Sequence, residues 1–181
     1  MTDIDSTRSA FRESLIEHAF ISAVLQEAWR RRMVIDVLRP EVDSGVDVVF
    51  ECDAVIRHVQ LKSTRAGSKV ARYNINTSLA ARPSGAVVLI ESEDDAGQLR
   101  LKYRFFGGAP GKPLSLEGFK TAKHSKGNAE GVKLERPGLR VVPAGQFKRV
   151  SDITALVDLL FGSWNLSTDR ERINGWASRS L

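Results

Sequence analysis

Three residues in "VDVVFECDAVIRHVQLKS" have the types and spacing to do chemistry together: Asp47, Gln60 and Lys62. Gln60 and Lys62 are two apart, so in a strand they point to one face, with Val59 and Leu61 on the other. Asp47 opens the preceding run, and a turn near Asp53 folds that run back as an antiparallel hairpin. The two ends of the hairpin are then neighbours. An acid, an amide and an ammonium meet there, which suits binding a metal ion and a phosphate.

The N-terminal segment carries further acids. Residues 10–32 recur in apolar character at three- and four-residue steps (Phe11, Leu15, Ala19, Ile21, Val24, Leu25, Ala28, Trp29), which predicts a helix. Ser6 or Ser9 would cap it, and Arg30, Arg31 and Arg32 suit its C-terminal dipole end. Glu13 and Glu17 share one helix face. Glu17 has Phe20, Ile21 and Val24 as its near neighbours along the helix and so borders the apolar stripe; Glu27 stands farther along. Glu51, on the Asp47 face but nearer the turn, is a reserve acid.

The elements that position these groups follow from pattern. Met33–Leu38, Val46–Cys52 and Ala54–Lys62 read as a three-stranded meander, with a break at Arg39-Pro40. Tyr73–Ala81 reads as a short helix stopped by Pro83-Ser84-Gly85. Ala86–Ile90 is a continuous apolar run, a strand covered on both faces. Leu99–Phe106 alternates as a half-exposed strand, Leu139–Val142 is another short strand, and Ser151–Phe161 is a helix capped by Ser151. Between them, residues 107–138 are rich in Gly, Pro, Lys and His and read as a long loop, functional or mobile. The order gives an α/β domain with a mixed central sheet flanked by helices.

"Val46-Asp47 … Val59-Gln60-Leu61-Lys62" resembles the signature of the PD-(D/E)XK, or restriction-endonuclease-like, superfamily, in its Gln-x-Lys form. The resemblance covers residues 10–92 and implies an αβββαβ core. Residues 97–161 would be an extension packed on it, and 162–181 a tail, all within one domain. It implies a Mg²⁺- or Mn²⁺-dependent nuclease hydrolysing phosphodiesters of nucleic acid, DNA being the expected substrate. Asp47, Gln60 and Glu17 would be metal ligands, with the Leu61 carbonyl as a further oxygen, and Lys62 would orient water or stabilise charge. Gln60 replaces the usual carboxylate and brings no charge, so Glu17 becomes important. The rival readings are a catalytically degenerate DNA-binding module that kept the fold and a protein-interaction module.

Charge and composition agree with a polyanionic partner without requiring one. The 181 residues include 27 Lys and Arg against 22 Asp and Glu, a net charge of +5. Lys120, Lys123, His124 and Lys126 form the densest basic stretch, and Arg65 and Lys69 follow the Lys62 strand; all are candidate phosphate contacts. "GGAPGK" lacks the Lys-Ser/Thr ending of a phosphate loop, because Pro113 follows Lys112, and nucleotide hydrolysis is rejected. His18, His58 and His124 have no metal-ligand spacing, although His58 shares the Gln60 face. The lone Cys52 excludes an internal disulfide and a cysteine metal cage, and reads as a buried strand residue. The acidic N-terminus does not read as a signal peptide, no apolar run spans a bilayer, and a cytoplasmic location is expected. A homodimer is compatible with this reading.

Overall fold

The computed structural model describes residues 3–42, 45–124, 126, 131 and 133–163. The expected tail, 162–181, lies outside them from Trp164 onward, Trp176 included. The chain is mixed α/β. A six-stranded mixed sheet carries helices α1 (Asp3–Arg30) and α2 (Ile153–Phe161) on one face and a three-stranded sheet on the other.

Helix α1 runs Asp3–Arg30, earlier than Ser6 or Ser9 would start it, and no Gly or Pro interrupts it. Arg32 ends it at φ 58, with Arg32 N–H donating to Trp29 O and Met33 N–H to Ala28 O, a Schellman closure. The apolar stripe divides in two. Ile16, Phe20, Val24 and Ala28 are buried, whereas Phe11, Leu15, Leu25 and Trp29 face out.

Strands β1 (Asp36–Leu38), β2 (Val48–Cys52) and β3 (Val55–Arg65) form the expected antiparallel meander. Asp53 makes the β2–β3 turn at φ 52. One face of the pair (Val48, Phe50, Cys52, Val59) packs under α1 and α2, with Phe20 edge-on to Phe50 at 6.0 Å.

The short helix expected over 73–81 does not form. Arg72–Asn76 is strand β4, followed by one 3-10 turn, Thr77–Ala81. The reason is a period of two: Ile75 is fully buried and Tyr73 half-buried, while Arg72 and Asn74 face out. Asn76 then caps the 3-10 turn, its side chain accepting from Ser78 N–H at 3.0 Å. This crossover leads to β5 (Gly85–Asp95), parallel to β3 from His58↔Gly85 to Arg65↔Ser92. Ala96 and Gly97, both at positive φ, turn β5 into β6 (Gln98–Gly107).

The long loop over 107–138 is partly ordered structure. Leu114 and Leu116 are buried, and β7 (Thr121–Lys123) pairs with β8 (Glu135–Pro143), which also pairs with β4. β9 (Lys148–Val150) edges β6. Helix α2 (Ile153–Phe161) is capped by Asp152, which accepts from Ala155 N–H, and not by Ser151, whose hydroxyl donates to Asp152.

Glu27 does not reach the candidate cleft. It accepts from Arg30 and Arg31, and Arg31 donates onward to Asp158 and to Thr154 O, tying α1 to α2. The hydrogen bond from Arg30, and then that from Arg31, hold the Glu27 carboxyl down from 4.5 to about 2. A depressed carboxyl stabilises the fold above its unfolded value and loses that contribution as pH falls toward its folded value. Glu27→Gln is therefore expected to flatten acid unfolding between about pH 4.5 and 2, read as Tm against pH. An unchanged acid limb would contradict the role of this network.

Candidate functional site

β3 has eleven residues and β2 only five, so β3 outruns its partner from Gln60 onward. The chain entering β2 covers part of the gap. Asp47 N–H donates to Val59 O at 2.9 Å, and Asp47 Oδ2 accepts from Leu61 N–H at 2.6 Å. The carboxylate thus stands in for the next rung of the ladder and is fixed against β3. By strand alternation the Leu61 carbonyl faces the same open side.

α1 passes over this open edge and makes a cleft lined by Glu13, Ile16, Glu17, Asp47, Leu61, Lys62, Ser63 and Ile90. Three of the sequence-derived site residues, Asp47, Lys62 and Glu17, are therefore brought together. Glu13, weighed beside Glu17, joins them. Glu17 is partly exposed and pairs with Arg39 Nη2 at 3.0 Å.

Gln60 is not in the cleft. It is 6% exposed, and its Oε1 accepts from Asn76 N–H at 3.2 Å. It faces the three-stranded sheet and anchors the β4 corner. His58 is likewise away from the cleft, at the Gly85 end of the β3–β5 ladder. Its pKa is pushed down by burial and then by the Arg82 charge, and no partner for its Nδ1 is present among the described residues. Glu51, opposite Ile56 toward the hairpin turn, is outside the cleft lining.

Sequence reasoning missed Gly45 as a positioning residue. Its φ is 75, and a Cβ there would stand 2.2 Å from Asn76 Cβ. The loop into Asp47 thus packs directly on the residue that Gln60 anchors. A glycine two before the acid was the available signal. Gly45→Ala is expected to lower Tm by several degrees, because it combines a strained φ with a clash against a fixed strand end. An unchanged Tm would show that the loop packs elsewhere.

The candidate phosphate contacts divide between two places. Arg65 ends β3, two residues past Ser63, and Lys69 lies in the exposed loop that follows. Lys120, Lys123, His124 and Lys126 are exposed on or beside β7, in the other sheet.

Among the described residues no group of three His, Cys, Asp or Glu side chains is close enough to cage a metal ion. The donors in the cleft are nonetheless hard oxygens: the Asp47, Glu17 and Glu13 carboxylates and the Leu61 carbonyl. That chemistry fits Mg²⁺, which is held by one or two carboxylates with waters and substrate phosphates completing its shell. No family model, curated protein or solved structure matches the chain. Among the described residues no helix is long and apolar enough to cross a membrane.

Proposed function

We propose that the chain is a divalent-metal-dependent nuclease of the restriction-endonuclease-like, PD-(D/E)XK type, acting on DNA through the cleft between α1 and β3. The observation that carries this reading is that one cleft gathers Asp47, Glu17 and Lys62 from three separate elements. The meander followed by a parallel β5 supports it too.

Asp47 and Glu17, with the Leu61 carbonyl, would hold Mg²⁺ or Mn²⁺. When bound, such an ion polarises a phosphate and lowers the pKa of its water. Asp47 is held in place by the Leu61 N–H, so its orientation is set before substrate arrives. Glu17 is held beside the cleft by its ion pair with Arg39. Lys62 offers an ammonium to the charge that develops on the phosphoryl oxygens. Gln60 acts at a distance, fixing β4 and, through Asn76, the loop that delivers Asp47. Arg65 and Lys69 extend positive charge along the strand that leaves the cleft.

A catalytically degenerate DNA-binding module is the second reading, favoured by the burial of Gln60 away from the cleft. Incubation with supercoiled plasmid separates the two. The nuclease nicks or linearises it with Mg²⁺ or Mn²⁺ and stops with EDTA, and Glu17→Gln raises the metal concentration needed for half-maximal cutting. A binder retards DNA without metal, with affinity falling as salt rises, and never cuts.

A further inference from the structure

The outer face of α1 carries an apolar seam that nothing in the described chain covers. Phe11 is 69% exposed, Leu15 44%, Leu25 38% and Trp29 86%. Soluble chains seldom leave large apolar groups in one contiguous row. With His18 and Ser22 these residues are spaced four, three, four, three and four apart, the seam of a helix pair. It lies opposite the buried Ile16, Phe20 and Val24, so it is free of the core's own packing.

From this seam we infer that two copies of the chain associate through α1, with the helices antiparallel about a two-fold axis near Phe20. The order of residues selects a second copy as the occupant. Read in either direction the seam is aromatic, leucine, polar, polar, leucine, aromatic. An antiparallel copy therefore sets Phe11 against Trp29, Leu15 against Leu25, and His18 against Ser22. An isologous contact requires this kind of self-complementarity.

The polar centre adds no burden to the pairing. His18 Nδ1 is 2.7 Å from Ser14 O, and Gln26 donates to Ser22 Oγ at 2.9 Å, so these groups are bonded within their own helix. The size is also adequate. Phe11 and Trp29 each offer on the order of 150–200 Å². With the two leucines and the polar flanks, the seam approaches about 600 Å² per partner, the low end for a specific interface. Glu13 and Glu17 lie on the other side of the helix, so both clefts stay open in the pair.

Sedimentation of the full chain at micromolar concentration is expected to give a dimer. Leu15→Glu combined with Leu25→Glu is expected to give a folded monomer whose Tm no longer rises with protein concentration, since both positions are exposed. The orientation is read by cysteine pairing, Cys52 being buried and the only native cysteine. Leu15→Cys mixed with Leu25→Cys is expected to form a disulfide-linked heterodimer under mild oxidation, while Leu15→Cys alone does not pair. A wild-type monomer, a dimer indifferent to the double substitution, or pairing of Leu15→Cys with itself would each overturn the proposal.

Discussion

Lys62→Ala is expected to lower metal-dependent DNA cleavage by about two to three orders of magnitude while leaving Tm nearly unchanged. The scale is that of removing one preorganised donor from a charged transition state. The stability expectation follows from position. Lys62 is a partly exposed cleft residue on the part of β3 that β2 no longer pairs, so its removal opens no cavity in the core. Lys62→Arg keeps the charge but spreads it over a planar fork on a longer stem, and is expected to restore only part of the rate. Kinetics on an oligonucleotide duplex with thermal melting of each variant would check this. A large fall in Tm with Lys62→Ala would assign Lys62 to the fold and remove it from the chemistry.

Arg57 carries the largest stability effect. It is fully buried on β3 with no carboxylate partner among the described residues, and burial pushes its guanidinium down to about 10, so it remains charged at neutral pH. Its guanidinium donates to Gly108 O, Ala109 O and Leu159 O and lies over the Phe105 ring at 5.6 Å. Leu159 is in the last turn of α2, where carbonyls carry partial negative charge that favours a cation. The residue thus pins the chain after β6 and the end of α2 onto β3. Arg57→Ala strands three carbonyls and leaves a cavity, and is expected to cost about 3–5 kcal/mol. Arg57→Met keeps most of the volume and sheds the buried charge, so it should cost clearly less. Urea unfolding of both variants distinguishes these terms. Equal losses would mean that the hydrogen bonds dominate and packing contributes little.

The hairpin and its acid could be read from the sequence because strand alternation and the Asp53 turn are local signals. Local signals failed where distant segments decide. Gln60 and Lys62 share a face by alternation, but nothing near them says that β4 and β8, sixty-odd residues apart in the chain, form a sheet that covers Gln60. In α1 the three- and four-residue steps identified the helix correctly. They merged two opposite stripes, because Phe11 and Phe20 are equally apolar and only packing tells which is inside. The segment from Arg72 to Asn76 was misread because it is short and its strand partner is far away. Glu17 was legible from its place beside the buried stripe, although its pairing with Arg39 was not.

The account is tested most directly by plasmid cleavage with Mg²⁺, wild type beside Asp47→Ala, with both proteins shown to be folded by their melting curves. Asp47 is fixed by β3 itself at the mouth of the cleft. The account predicts nicking and linearisation by the wild type, abolished by EDTA and absent in Asp47→Ala. Cleavage by a folded Asp47→Ala protein at the wild-type rate would contradict it.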